Sequence, residues 1–240
     1  MLTAVVSGHR YWRRLTTDDP ARPAQTWPMQ TSTAQTRPAE AWSPREGPLL
    51  VVAPHPDDEI LGAGGLIRTW TARGQEVSVL SVSDGEAAEP ARLGCGTERR
   101  EELTQALRRL CPTHVSVTRL GLPDGRVSCY VNRLRNALLS LARGKPTLIA
   151  PYERDRHPDR EAVGEVCMKF ARSQQIPIAR YAIRTGPRAA AAGSGETRFR
   201  KFLLTDDARR AKARALGCFR SQLDGADVGV LTEPYEAFLL

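Results

Sequence analysis

Residues 49–70 read LLVVAPHPDDEILGAGGLIRTW, and the change of pattern inside this stretch decides the fold. Leu49 to Ala53 is an unbroken apolar run, long enough for a strand and too short for a helix, so it predicts a strand buried on both faces. Beyond Pro54 the spacing changes. Ile60, Leu61, Leu66, Ile67 and Trp70 recur at helical intervals and predict a helix from about Glu59 to Arg73. His55, Asp57, Asp58 and Glu59 fall in the turn between the two elements.

The same alternation continues downstream. Strands are predicted at Val77–Val82, Val115–Leu120, Thr147–Pro151, Ile176–Arg184 and Arg200–Leu204. Helices are predicted at Glu98–Leu110, Arg133–Ala142, Arg160–Ser173 and Asp207–Leu223. A Gly- and Ala-rich loop spans Gly186 to Gly195. Strands alternating with helices imply right-handed crossovers and an α/β fold, a three-layer Rossmann-like sandwich around a mostly parallel sheet. Ligands of such sheets bind outside the carboxyl ends of the strands. Two clusters fall there, His55 to Glu59 after the first strand and Asp155 to Asp159 after the strand ending at Pro151, so loops remote in sequence are expected to meet in one crevice.

Residues 1–48 break every period with Pro20, Pro23, Pro28, Pro38, Pro44 and Pro48, and predict an extended or disordered leader before a domain of residues 49–240. Trp12, Trp27 and Trp42 suggest that this leader lies across the domain surface or a partner. The 240 residues carry a formal net charge of +8. The arginines are scattered without a basic block interleaved with aromatics, which argues against nucleic acid and for a solvated surface. Cys95, Cys111, Cys129, Cys167 and Cys218 are odd in number and include no Cys-x-x-Cys pair, so free core thiols are expected. Arg10, Arg13 and Arg14 follow the few apolar residues near Met1 at once, leaving neither a signal-peptide core nor a membrane span and implying a cytoplasmic protein. A homo-oligomer is compatible with the sequence, which sets no particular state.

The chemistry of the first cluster follows from its residue types. A divalent metal that activates water needs hard or borderline ligands, an open position and a nearby base. His55 and Asp58, three residues apart, can bind one ion while Asp57 takes a proton from its water, which bound Zn²⁺ would acidify to a pKa of roughly 7. Gly62, Gly64 and Gly65 suit close approach of the helix to the sheet or a ligand, and do not form a dinucleotide-binding turn. The plainer reading makes Asp57 or Asp58 the helix N-cap.

Val51 to Glu59 resembles the signature of the PIG-L/LmbE family. The similarity continues through Ser83-Asp84-Gly85-Glu86, Arg99-x-x-Glu102-Leu103, Leu122-Pro123-Asp124-Gly125, His157-Pro158-Asp159 and Ser221-Gln222. It covers nearly everything after residue 48. The resemblance implies a Rossmann-like, zinc-dependent deacetylase of N-acetylglucosamine-type sugars or sugar conjugates, with Zn²⁺ or another divalent metal as cofactor. It implies His55 and Asp58 as metal ligands and Asp57 as general base. His157 would assist the tetrahedral intermediate or the leaving group, Asp159 would orient or tune it, and Arg99 and Asp124 would contact the sugar.

One position departs. Relatives usually carry a second histidine, the third metal ligand, where this chain has Arg160, and a guanidinium has no lone pair to donate. His157 could swing onto the metal, Asp155 or Glu161 could supply an oxygen, or Arg160 could neutralise the carboxylates in the ion's place, giving a catalytically impaired member that binds a sugar or a protein partner. Plainer readings stand beside these. The second cluster could be a solvated charged loop, Asp124 a turn residue and Arg99 a salt-bridge partner, and His9 and His114 are given no role.

Overall fold

The structure is a computed structural model that describes residues 40–87, 94–111, 113, 115–185, 199–223 and 233–240. His9, Trp12, Trp27, His114 and the loop from Gly186 to Gly195 lie outside the described residues. In chain order the strands are β1 (Glu40–Ala41), β2 (Leu49–Ala53), β3 (Val77–Ser81), β4 (Ser116–Arg119), β5 (Thr147–Pro151), β6 (Ile178–Tyr181), β7 (Phe199–Leu203) and β8 (Tyr235–Leu239). The helices are α1 (Asp58–Ala72), α2 (Cys95–Leu110), α3 (Val131–Leu141), α4 (Pro158–Gln174), α5 (Asp206–Leu216) and α6 (Arg220–Leu223), with a 3₁₀ turn at Val127–Tyr130.

These strands form one sheet in the order β1-β7-β8-β6-β5-β2-β3-β4. All pairs are parallel except those of β8, which runs antiparallel between β6 and β7. The apolar run of β2 is buried throughout and alternates between the two faces. Leu49 and Val51 pack with α1, α2 and α5, through residues such as Leu66, Leu103 and Ala215. Leu50 and Val52 pack with α3 and α4, through Leu138, Val163 and Phe170. The result is the three-layer sandwich. Its order reverses at β2, paired with β3 on one side and β5 on the other, so a crevice opens at the carboxyl ends of β2 and β5.

Three differences from the sequence-based expectation have local causes. The long last helix is two, because the chain turns at Gly217 to Phe219 between α5 and α6. Glu40 and Ala41, in the tail of the expected leader, add an edge strand on β7, and Trp42 packs its ring 5.2 Å from that of Phe238. Strand β8, absent from the sequence reading, buries Glu236, Phe238 and Leu239 and leaves Tyr235 and Ala237 half-buried, so an acid interrupts its apolar pattern.

Glu236 explains a further feature. Helix α1 is broken at Ala63 (φ −145°, ψ 16°), and the Glu236 carboxylate accepts the N–H groups of Gly65 and Leu66 at 2.7 and 2.9 Å, capping the second segment from across the sheet. Lys212 Nζ donates to Glu236 at 2.7 Å and to the Leu61 carbonyl at 2.8 Å, bridging the break. The glycines serve approach to the sheet side. A Cβ on Gly62 would run into the Tyr181 ring and one on Gly65 into Leu204. Among the described residues no helix is long and apolar enough to cross a membrane.

Glu236→Ala strips a buried lysine of its counter-charge and two helix N–H groups of their acceptor. A loss of about 3 to 5 kcal/mol in unfolding free energy is expected, partly restored by adding Lys212→Met. Chemical denaturation followed by circular dichroism measures it, and an unchanged midpoint would show the staple to be dispensable.

Candidate active site

The turn from β2 into α1 holds the first cluster in a strained shape. Asp57 has φ 117° and ψ −30°, a conformation that side-chain-bearing residues rarely adopt. It occupies the N-cap position, and its backbone carbonyl accepts the N–H groups of Ile60 and Leu61 at 3.1 and 2.9 Å. Its side chain makes no capping bond. The plain N-cap reading therefore accounts for the backbone of Asp57 and leaves its carboxylate free for other work. Burial, then the neighbouring Asp58 charge, pushes that carboxyl up to about 7, against the pull of Arg99, Arg160 and His55.

Loops from both halves of the sheet converge on His55. Its Nδ1 lies 3.2 Å from Asp58 Oδ2. Its Nε2 lies 3.1 Å from Asp124 Oδ1 and 3.3 Å from Asp159 Oδ2. Burial pushes the imidazole down, but hydrogen bonds to Asp124, Asp159 and Asp58 outweigh it and hold His55 well above its ordinary value. His157, N-cap of α4, stacks edge-on against His55 with ring centroids 4.8 Å apart. Its Nδ1 accepts the Asp159 backbone N–H at 3.3 Å, which places the ring proton on Nε2. Burial, with the charge of His55 next, lowers His157 to about 3, so it is neutral near pH 7.

Asp159 was expected to orient His157. Its backbone N–H does so, whereas its carboxylate turns to His55 and accepts the N–H groups of Gly125 (2.7 Å) and Val127 (3.1 Å). Asp124, expected at the sugar, also faces His55 and accepts the Ala87 N–H at 3.0 Å through its other oxygen. Arg99 is buried and spends its two terminal nitrogens on the Gly85 carbonyl and on Gln222 of α6. The Ser221-Gln222 motif thus acts by holding Arg99 and, through Ser221, Glu102. No local signal in the sequence assigned those partners.

Arg160 is buried beside the first cluster rather than solvated. Its Nη2 and Nε donate to Asp58 Oδ1 at 2.6 and 3.0 Å, and Nε lies 3.2 Å from Oδ2. The guanidinium, ahead of which only the burial penalty ranks, holds the Asp58 carboxyl well below the usual carboxylate range. The His55 backbone N–H also donates to Asp58 Oδ2, at 3.2 Å. With both oxygens engaged, Asp58 and the Nδ1 of His55 do not fit a tetrahedral metal, whose nitrogen and oxygen ligands stand about 2.0 to 2.2 Å from the ion. Among the described residues, the group that could hold a cation is His55 Nε2 with one oxygen each of Asp124 and Asp159, all within 4.8 Å of one another. That nitrogen faces two carboxylates at hydrogen-bond distance, the arrangement that fixes a histidine's tautomer from behind.

Glu59 was passed over in the sequence. It is fully buried and neither of its oxygens closes a hydrogen bond. Burial pushes its carboxyl well above the ordinary range, with the charges of Asp57 and Asp58 adding to the effect against the pull of nearby backbone N–H groups. A cavity of about 270 Å³ beside the site is lined by Asp84, Glu86, Thr97 and Arg100 among others. Glu86 joins it to the cluster by accepting the Asp124 N–H at 2.9 Å.

A family model described as "PIG-L: GlcNAc-PI de-N-acetylase" matches residues 50–171. Several solved structures share the fold. The zinc-inhibited form of teicoplanin deacetylase Orf2 is 18% identical with a TM-score of 0.62, over 80% of this chain and 97% of that one. N,N'-diacetylchitobiose deacetylase from Pyrococcus horikoshii is 19% identical with a TM-score of 0.57, over 80% and 83%. The 4-carboxy-2-hydroxymuconate hydratase GalB from Pseudomonas putida KT2440 is 17% identical with a TM-score of 0.59, over 80% and 94%. Similarity at this level establishes the architecture, and a hydratase among the neighbours shows that the architecture does not dictate one reaction.

The state of Glu59 has a pH signature. A carboxyl raised in the folded chain contributes stability fully present below the unfolded pKa, near 4.3, and lost as pH rises toward the folded one, because the unfolded chain ionises first. Glu59→Gln is therefore expected to melt higher than the parent at pH 8, with the gap closing near pH 4. Thermal unfolding at both pH values is the check: a gap independent of pH would mean that folding does not shift the Glu59 carboxyl, and a Glu59→Gln protein that melts lower than the parent at pH 8 would mean that Glu59 is ionised and paired.

Proposed function

The chain belongs to the PIG-L family, and on that premise we propose that it is an amide hydrolase, an N-deacetylase acting on an N-acylated amino sugar or sugar conjugate. The observation that carries the proposal is Asp57, a strained, buried carboxylate with no capping duty, raised to about 7 at the mouth of the β2–β5 crevice. A base poised near the working pH takes a proton from water without giving up driving force. His157 presents a neutral ring with its proton on Nε2, the atom suited to donate to the oxyanion that forms when water adds to an amide carbonyl. Collapse of that intermediate returns the proton to the departing amine, with Asp57 as its carrier.

Support for the substrate class comes from two sides. Two neighbours in fold are named as deacetylases, of teicoplanin and of N,N'-diacetylchitobiose. The cavity next to Asp124 offers acceptors from Asp84 and Glu86 and donors from Thr97 and Arg100, a set that matches the mixed donor and acceptor character of sugar hydroxyls. The five free cysteines agree with a reducing, cytoplasmic setting. The divalent metal implied by the resemblance does not fit His55 Nδ1 and Asp58 while Arg160 holds the carboxylate, and no step above passes through one.

A second reading is a member of the family that binds the same ligands without turning them over. The Arg160–Asp58 pair favours it.

Acetate release from N-acetylglucosamine conjugates separates the two. In the first reading Asp57→Asn lowers the rate by about 10²- to 10⁴-fold with KM little changed, and His157→Ala lowers it by about 10²-fold or more. Retention of the parental rate by Asp57→Asn would remove Asp57 from the chemistry. Binding of the conjugates with no acetate released would select the second reading.

A further inference from the structure

We propose that the Arg160 guanidinium is the resident cation of this site, a charge tethered to α4 and lodged between Asp58 and Asp155, so that the crevice keeps its shape without a metal ion. The inference rests on reading the crevice as the family's active site.

Three observations carry it. The contact with Asp58 is a fork, with Nη2 at 2.6 Å from Oδ1 and Nε at 3.2 Å from Oδ2 (and 3.0 Å from Oδ1), a geometry that a guanidinium supplies and an ammonium does not. The same Nε lies 3.8 Å from Asp155 Oδ2. Asp155 is fully buried, gives Oδ1 to the Thr185 N–H at 2.9 Å, and has no hydrogen bond on Oδ2, which leaves Arg160 as the charge facing that oxygen. Two buried carboxylates thus share one buried cation.

Position along the helix points the same way. Arg160 is the third residue of α4, where the helix dipole favours acids and opposes a positive charge. Helix formation does not call for a cation there, and the neighbouring first-turn residues Asp159 and Glu161 are acids. What holds Arg160 inside is the pair of carboxylates 102 and 5 residues before it in the chain. Conversely, removing the guanidinium would leave Asp58 with no full charge opposite it except His55, an arrangement costly in a desolvated site.

The consequence is a division of labour around His55. On its Nδ1 side, Asp58 is satisfied by Arg160. On its Nε2 side, Asp124 and Asp159 hold the ring in place. A histidine in place of Arg160 would add a lone-pair donor to His55 and Asp58, giving the three-ligand set with an open fourth position that zinc accepts.

The experiment uses the full-length chain, dialysed against a chelator and then offered excess ZnCl₂, with metal content measured by mass spectrometry and thermal unfolding recorded with and without zinc. The parent is expected to hold no stoichiometric zinc and to melt at the same temperature throughout. Arg160→His is expected to retain about one zinc per chain and to melt about 5 to 10 °C higher when zinc is a hundredfold above its Kd. Arg160→Met is expected to melt lower than the parent, and Arg160→Met with Asp58→Asn to recover much of the loss, which keeps the test decisive where the histidine variant folds poorly. One tightly held zinc in the parent overturns the inference. Its loss in Asp58→Asn would place the ion where the guanidinium sits, and its loss in Asp124→Asn would place it on the far ring nitrogen. Acetate release is a separate readout. A parental rate indifferent to chelator supports the tethered cation, whereas a rate abolished by chelator overturns it and leaves the deacetylase assignment standing.

Discussion

Asp57, Asp58, Glu59 and Asp155 are all buried at the carboxyl ends of β2 and β5, and the structure around them is organised by the need to compensate that charge. Each finds a different solution. Asp58 takes a bidentate guanidinium, Asp155 shares it at longer range and accepts a backbone N–H, and Glu59 is pushed toward its neutral form. Asp57 sits between these limits, raised by burial and by Asp58 but drawn back by Arg99, Arg160 and His55. A carboxylate kept near neutrality by opposing neighbours is the usual way a protein obtains a base that works at pH 7.

The scaffold holds this arrangement from a distance. Helix α1 begins inside the cluster and breaks one turn later, and the break is capped by Glu236 from β8, itself tied to Lys212 of α5. Gly62 lets the first segment of α1 lie against Tyr181, whose hydroxyl donates to the Val52 carbonyl at 2.8 Å, one strand position from the turn that carries His55. Tyr181, Lys212 and Glu236, all outside the stretch matched by the family model, therefore help to position the helix that leaves the His55 turn.

The neighbours in fold include deacetylases and a hydratase, so the sandwich supplies a crevice and a place for acids and histidines, and the side chains decide the chemistry. In this chain the distinguishing side chains are a neutral His157 stacked on His55, a buried Asp57 carboxyl that makes no capping bond, and an arginine in contact with Asp58. A polar cavity lined by Asp84, Glu86, Thr97 and Arg100 lies beside Asp124.

Much of the fold was legible in the residues alone. The run Leu49 to Ala53 is a strand over the residues expected, as is Thr147 to Pro151, because an apolar run bounded by prolines or polar turns has few ways to be buried. The meeting of His55 to Asp58 with His157 and Asp159 also followed from strand order, since both loops leave the carboxyl ends of adjacent parallel strands. What the sequence did not carry were choices made between groups far apart in the chain. Strand β8 was invisible because the buried Glu236 interrupts its short apolar pattern and its partners, β6 and β7, lie far back in the chain. The turning of Asp159 toward His55 depends on a distance across 104 residues, and the placing of Arg160 on Asp58, one of several alternatives open in the sequence, was decided by a contact across 102. Local spacing fixes which side chains share a loop. The direction of a buried charge is fixed by the opposite charge that the folded chain brings to it, and that pairing exists only in three dimensions.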